Sequence, residues 1–310
     1  MGSVSDPIVT LVTSAAFPEL DSDEAGLPDA LRARGMEPRI AVWNDPDVDW
    51  SNAGTAIVRN VRDYAKDPQG FLAWARSVPR LLNSPSVMEW NTDKHYLQEL
   101  AKRGMPTIAT TWLEPSANLS RNQVHTRFPA VGDFVVKPAV SSGGRGTGRY
   151  TSTDANSRMR AIDDAMYHLE RGRSVMVQRY HEEVDRSGEV SLIYLNGLAS
   201  YKVEKEPMLH PRFESNDQVH EEIAHSSQAS EQEWRWGERI RQSLHHYIKD
   251  YCGRDEQLLF NRVDIVRGGP DDEEEFYVME ISLIDGSLYL SADEDNLNKF
   301  ADAIAVRAFW

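Results

Sequence analysis

Cysteine is almost absent: Cys252 is the only one in 310 residues, which excludes an intrachain disulfide and a cysteine-rich zinc site. No apolar run approaches the ~20 residues that a membrane-spanning helix needs. The first residues, Met1–Asp6, carry neither a basic region nor a long apolar stretch, which argues against a leader peptide. Basic charge is also short. With 34 Lys+Arg against 49 Asp+Glu the net charge is -15, the wrong sign for general nucleic-acid binding. The nine histidines are scattered, and His245–His246 point to different sides of a helix, so no transition-metal site assembles. No Gly-x-Ser-x-Gly elbow is present. These absences predict a cytoplasmic protein with no nucleic-acid and no membrane partner, and they leave a homo-oligomer open.

What is present is enough apolar sequence, 40%, for an ordinary globular interior, on a chain long enough for two or three subdomains. The first ninety residues alternate. Ile8–Val12, Ile40–Val42, Ala56–Val58 and Arg80–Asn83 read as strands; Ala25 to Arg34 and a segment through Phe71–Ala75 read as helices. Strands separated by helices imply a parallel sheet. Asn91-Thr92-Asp93 is expected to cap a helix carrying Tyr96, Leu97 and Leu100, ended by Gly104. Residues 113 to 180 read as a small α+β unit with a strand at Phe134, a helix from Ser157 to Arg171 and a strand Val175–Gln178. The remainder opens with a hairpin turning at Asn196-Gly197. A long helix follows from Ser230, with Glu233 completing a capping box and Trp234, Ile240, Leu244, Tyr247, Ile248 and Tyr251 as its core face. Leu258–Val266 and Phe276–Ile281 read as antiparallel strands joined by the acidic run Asp271–Glu275, itself a solvated loop.

Two features carry chemistry. Phe134-Val135-Val136 delivers Lys137-Pro138, and then a loop of small and basic residues, Ser141-Ser142-Gly143-Gly144-Arg145-Gly146-Thr147-Gly148-Arg149. Glycines let backbone N–H groups converge on an anion while hydroxyls and cations add donors and charge. Neither the P-loop nor the dinucleotide fingerprint fits, so the residues alone read either as a phosphate clamp or as a flexible surface turn. The second feature is Asp264 and Glu280, carboxylates inside strongly apolar facing strands, which require a compensating cation. A structural salt bridge satisfies that requirement; so does Mg²⁺ beside a polyphosphate.

Taken in order, Lys94, Lys137, the Gly/Ser loop, Gln178-Arg179-Tyr180, Asp264 and Glu280 resemble the pattern of the ATP-grasp superfamily. The closer resemblance is to the branch of the cycloserine-forming ligases. It is carried by Val42 to Trp50, Val58-Arg59 with Asp63-Tyr64, Phe71-Leu72-Ala73-Trp74, Leu82-Asn83-Ser84-Pro85, Trp90 to Leu97, Val136-Lys137-Pro138 and Gly188-Glu189-Val190-Ser191. The resemblance implies a three-subdomain α/β and α+β ATP-grasp fold. An N-terminal parallel domain would span 1–112, a small lid subdomain 113–182 and a C-terminal antiparallel subdomain with the metal site 183–310.

It also implies roles. Lys94 and Lys137 would contact ATP phosphates, with Ser141, Ser142, Gly143, Gly144 and Gly146 folding over them. Gln178, Arg179 and Tyr180 would lie along the adenine and Glu183 at the ribose. Arg262 would stabilise the transferring phosphoryl group, with Lys205 facing the same cleft. Asp264, Glu280 and Ser282 would hold Mg²⁺. Arg59, Asp63, Tyr64, Gly286 and Ser287 would recognise small amino-acid-derived carboxylate and amine substrates. The implied activity is an ATP- and Mg²⁺-dependent carboxylate–amine ligation through an acyl phosphate, either a ring closure or a dipeptide or amide condensation. The rivals are a phosphotransferase on the same fold and a non-catalytic ATP-binding protein. Two positions depart from the pattern: Ser282 stands where relatives carry Glu or Asn, and Arg62 where the branch tends to have tryptophan.

Overall fold

A computed structural model of the chain describes residues 6–211, 213–216, 218, 220 and 222–309; most of the N-terminal hexapeptide on which the leader expectation rests therefore lies outside the described residues. The N-terminal alternation forms a parallel sheet. Strand β1 (Ile8–Thr13) leads through helix α1 (Leu27–Arg32) to β2 (Glu37–Val42), then to β3 (Thr55–Asn60), helix α2 (Pro68–Ser77) and β4 (Leu81–Leu82). The spatial order is β2-β1-β3-β4. Helix α2 starts where Asp67 accepts from the Gly70 amide and Pro68 presets φ, and it buries Phe71, Leu72 and Ala75 at helical spacing. Helix α1 is shorter than its sequence pattern, with Gly26 as N-cap and a proline in its first turn.

The next segment corrects one expectation. Asn91 and Thr92 are not the cap of a second helix; they end helix α3 (Pro85–Thr92), started by the Ser84 side chain accepting from the Val87 amide. Helix α4 (Tyr96–Lys102) begins after His95. Pro85 at the first helical position was the missed signal.

Strand β5 (Thr110–Leu113) begins ahead of the boundary expected at 113 and joins the second sheet. Helix α5 (Arg121–His125), β6 (Asp133–Pro138), β7 (Gly148–Thr151), helix α6 (Ala155–Leu169) and β8 (Val175–Arg179) complete that unit. All its strand pairs are antiparallel, in the order β5-β8-β6-β7, over a core of Phe134, Val136, Tyr150, Ala161, Val175 and Val177. Helix α6 is set two residues earlier than its apolar spacing suggests, because Asp154 caps it through the Asn156 and Ser157 amides.

After the short helix α7 (Glu183–Ser187), β9 (Glu189–Leu195) and β10 (Leu198–Lys205) form the expected hairpin; Asn196 and Gly197 both adopt positive φ, 48° and 79°. Strand β11 (Ala224–Ser227), helix α8 (Glu231–Cys252), β12 (Phe260–Arg267), β13 (Phe276–Ser282) and helix α9 (Glu294–Ala308) follow. The five strands run β11-β10-β9-β12-β13, all antiparallel. The α8 capping box is formed, and Trp236, Ile240, Leu244, Tyr247 and Ile248 are buried. Tyr251 is half-exposed and Trp234 only partly buried, so the expected stripe is corrected at both ends, with Trp236 taking the first position.

The first and third sheets are bound into one body. Leu27 and Leu31 of α1 share a core with Phe260, Phe300 and Ile304. The buried Asn83 amide nitrogen donates to the Phe260 and Leu283 carbonyls, and Asn91 both donates to the Ile281 carbonyl and accepts from the Leu283 amide. These side chains replace missing ladder partners at the end of β13 and fix where that strand delivers its polar residues.

At the same junction Glu24 and Arg59 form a buried bidentate ion pair, with the guanidinium between the Phe260 and Phe300 rings, 5.0 Å from each centroid. Removing one partner leaves an uncompensated buried charge, at a cost of about 3–5 kcal/mol. Glu24→Ala is therefore expected to lower the urea-unfolding free energy by that amount. A loss below about 1 kcal/mol, the value of an exposed pair, would contradict the placement.

Candidate active site

Antiparallel pairing of β12 with β13 sets Asp264 opposite Glu280 and Arg262 opposite Ser282, with the register slipping just after Asp264. Residues two apart share a face, so all four turn toward one cavity of about 660 Å³ between the three sheets. The other walls are Lys137 and Val135 of β6, Gln178 and Arg179 of β8, Lys205 at the end of β10, Lys94, and part of the glycine loop.

Charge in this cavity is paired with little slack. The Asp264 carboxylate accepts from Ser191 Oγ at 2.7 Å, Arg262 Nη2 at 2.9 Å and Lys205 Nζ at 3.2 Å. Lys205 also meets Glu189 at 2.7 Å and Glu222 at 3.4 Å. Glu222 in turn accepts from the Tyr289 hydroxyl at 2.7 Å, and Arg262 donates to that same hydroxyl at 3.2 Å and to the Ser287 carbonyl at 3.0 Å. Burial pushes the Glu222 carboxyl up, but Lys205 and Arg262 outweigh it and hold the group at about 2. For Lys205 and Arg262 burial works downward, and Asp264 beside them wins, raising both well above their ordinary values.

Lys94 and Lys137 are differently placed. Lys94 Nζ donates to the Ser141 carbonyl at 2.8 Å and lies 3.3 Å from Glu280. Burial lowers the Lys137 ammonium, against the opposing pull of Glu280. A desolvated lysine aimed at a polar cavity is suited to receive an anion.

The glycine loop crosses above them. Gly143, Gly144 and Gly146 all have positive φ, between 62° and 71°, a backbone that side-chain-bearing residues rarely adopt. The loop is pinned by Ser142 Oγ donating to Asp285 at 2.7 Å, by Arg145 donating to the Arg62 carbonyl at 2.7 Å, and by the His220 amide donating to the Gly143 carbonyl at 2.9 Å. Next to Asp285, Gly286 is required by close approach: a Cβ there would lie 2.5 Å from that of Ser282.

Most of the sequence-derived residues line this one cavity: Lys94, Lys137, Ser141, Ser142, Gly143, Gly144, Gln178, Arg179, Tyr180, Lys205, Arg262, Asp264, Glu280, Ser282, Tyr64, Gly286 and Ser287. Four do not. Gly146 packs against His168 and Pro138, away from the cavity lining, its amide donating to the Asn216 carbonyl. Glu183, largely covered, pairs with the exposed Arg186 one turn along α7. Asp63 accepts from Trp43 Nε1 at 3.1 Å. Arg59 is committed to Glu24, and its approach to the Gly286–Ser287 turn is a 3.4 Å bond to the Gly286 carbonyl, so it supports that wall from behind. Arg62, by contrast, reaches the cavity, bonding Asp21 at 3.2 Å and Ser287 Oγ at 3.0 Å.

Sequence reasoning missed Glu222, Tyr289 and Asp21. Glu222 precedes a short edge strand in a stretch without periodicity, so no signal marked it. Glu189 and Ser191 were quoted in the resemblance without a role.

As a metal centre the cavity offers two facing carboxylates. Among the described residues no group of three or more His, Cys, Asp or Glu side chains is arranged to hold a metal by itself. Magnesium is commonly bound through one or two carboxylates, with phosphate oxygens and water completing the octahedron. Asp264 and Glu280 fit that mode and no protein-only cage.

The three-sheet architecture enclosing a cavity of interlocked lysines, arginines and carboxylates under a glycine loop is that of an ATP-grasp enzyme. A D-alanine–D-alanine ligase from Bacillus anthracis shares the fold, with TM-score 0.61 at 14% identity over 98% of this chain and 97% of that one. A crystal structure of D-cycloserine synthetase DcsG superposes with TM-score 0.82 at 29% identity, covering 97% of this chain and 99% of the other. The cycloserine biosynthesis protein DcsG of Streptomyces lavendulae is 31% identical over 306 residues, 97% of this chain and 98% of its own. Residues 9–83 match the family described as the N-terminal domain of D-cycloserine synthetase DcsG. The chain belongs to the DcsG family, and it is an ATP-grasp ligase that forms carbon–nitrogen bonds.

The Glu222 environment has a pH consequence. A carboxyl held at about 2 against an ordinary 4.5 stabilises the fold fully above pH 4.5 and loses that contribution as pH falls through 2. Wild-type protein is expected to lose about 3 kcal/mol over this window through Glu222. Chemical denaturation of Glu222→Gln should show a correspondingly shallower acid limb, and an identical limb in both proteins would contradict the assignment.

Proposed function

We propose that the chain activates a small amino-acid-derived carboxylate as an acyl phosphate at the expense of ATP and Mg²⁺, and joins it to a nitrogen nucleophile. The observation that carries this reading is the placement of Lys205, Arg262, Lys94 and Lys137 around the facing carboxylates Asp264 and Glu280, beneath the glycine loop. Both partners of the first step are anions, so converging cations are what the chemistry needs.

In this reading Val135, Ile108, Met279 and Val184 form the apolar slot for the adenine beside Gln178–Tyr180. Lys94 and Lys137 neutralise the phosphates, and Ser141–Gly144 cover them. Asp264 and Glu280 would hold magnesium, which would supply positive charge to the anionic phosphates. Arg262 and Lys205 hold the transferring phosphoryl group, and the Gly286–Ser287 turn with Arg62, Asp21 and Tyr64 faces the amino-acid-derived substrate. A D-cycloserine synthetase and a cycloserine biosynthesis protein among the relatives support a substrate of that chemical class and a role in specialised metabolism, with ring closure as the ligation.

Phosphate and nucleotide analysis under turnover tests the reading, with ATP, Mg²⁺ and panels of D- and L-amino acids and their O-substituted derivatives. ADP and free phosphate are expected, in step with amide formation, because the terminal anhydride is the one cut. AMP with pyrophosphate would exclude it, and a stable phosphorylated product without free phosphate would establish a kinase instead.

Ser282 yields a second test. A carboxylate there would add one negative charge facing the metal, worth about 4 kcal/mol at ~4 Å and an effective dielectric of ~20 before desolvation. Ser282→Glu is expected to lower the free Mg²⁺ needed for half-maximal turnover. An unchanged requirement in folded protein would mean that the side chain does not serve the metal.

A further inference from the structure

Three carboxylates, Glu189, Asp264 and Glu222, share two cations, Lys205 and Arg262, at the centre of the cavity. Two of the three belong to the sheet: Glu189 opens β9 and Asp264 lies in β12. Glu222 does not. It lies on the connection between β10 and β11, outside any strand, and its carboxylate is about 29% exposed, on the cavity side. Its contacts are graded. The neutral Tyr289 hydroxyl is close at 2.7 Å, whereas Lys205 at 3.4 Å and Arg262 Nη1 at 3.9 Å are held loosely. Tyr289 is itself in a left-handed backbone conformation, φ 52° and ψ 49°, which costs energy for a non-glycine residue and is tolerated where the surroundings enforce it.

The sum of these five charges is one negative unit. That is the wrong sign for cations that must draw an anionic phosphoryl group toward an anionic carboxylate. Asp264 can give its charge to a bound magnesium ion and Glu189 is fixed by its strand. Glu222 is the one that can step aside.

We propose that Glu222 is an internal anion that stands in for the terminal phosphoryl group: it holds Lys205 and Arg262 in position while the nucleotide is absent and gives them up when the γ-phosphate arrives. Glu222 thus acts through the two cations as a positioning residue, and it stabilises the empty site at the expense of nucleotide affinity. The proposal rests on the reading that Lys205 and Arg262 face the γ-phosphate. It explains why a carboxylate held closely by a neutral hydroxyl and only loosely by two cations sits in a cavity that must accept anions.

The test compares two probes, Mg²⁺–AMP-PNP, which carries a γ-phosphoryl group, and Mg²⁺–ADP, which does not, by titration calorimetry on the full chain. Glu222→Gln is expected to bind AMP-PNP at least threefold more tightly than wild type, with ADP affinity within twofold. Glu222→Asp keeps the charge but draws it back by one methylene, and it should shift AMP-PNP affinity in the same direction by a smaller factor; it also serves if the glutamine variant does not fold. An equal gain for both nucleotides, no gain, or a loss for AMP-PNP overturns the proposal. Lys205→Gln and Arg262→Gln separate the two levels. If both weaken AMP-PNP selectively and Glu222→Gln changes nothing, this inference alone fails; if neither does, the reading of the site beneath it fails.

Discussion

Asp264 is where the site and the fold meet. Its carboxylate is buried in the middle of a five-stranded sheet, and three donors from three strands converge on it: Ser191 of β9, Lys205 of β10 and Arg262 of β12. A buried carboxylate is tolerated only when its hydrogen-bonding capacity is filled and its charge opposed. Meeting that demand orders two cations at fixed positions on the cavity wall. Glu280, placed opposite Asp264 by strand register, adds the second carboxylate. The arrangement of charges on the cavity wall therefore follows from β-sheet register, which a one-residue slip would destroy.

Register at the β13 end is in turn held from outside the sheet. Asn83 and Asn91 come from the first ninety-odd residues and hydrogen-bond to the backbone of Phe260, Ile281 and Leu283, while Tyr96 bonds Ile281 on both its amide and its carbonyl. The N-terminal unit is thus a clamp on the strand pair as well as a wall of the cavity. The Glu24–Arg59 pair fastens the same junction, so Arg59 is packed between Phe260 and Phe300 and does not line the cavity.

Much of this was legible in the residues. Alternating apolar strands and capped helices announced the parallel sheet, Asn196-Gly197 the hairpin, and Ser230 with Glu233 the long helix. The lysines, the glycine loop and the Asp264–Glu280 pair were readable because charged and flexible residues stand out inside or beside regular apolar strands, and they line one cavity. What was not readable depends on distance in space. Arg59 looks like a substrate ligand until Glu24, 35 residues earlier, is seen to neutralise it. Asn91 and Thr92 carry cap-forming side chains, yet they end a helix whose start is set by Ser84 and Pro85. Glu222 lies in no periodic segment, and only the converging Lys205, Arg262 and Tyr289 give it meaning.

The account turns on direct attack of a carboxylate oxygen on the γ-phosphate within this cation cluster. Oxygen tracing measures that event. A carboxylate substrate labelled with ¹⁸O in both carboxyl oxygens should deliver one label to the phosphate released in each ligation, read by mass spectrometry. Phosphate carrying no label, with amide formed and ATP consumed, would show that the carboxylate never bonded to phosphorus and would contradict the account.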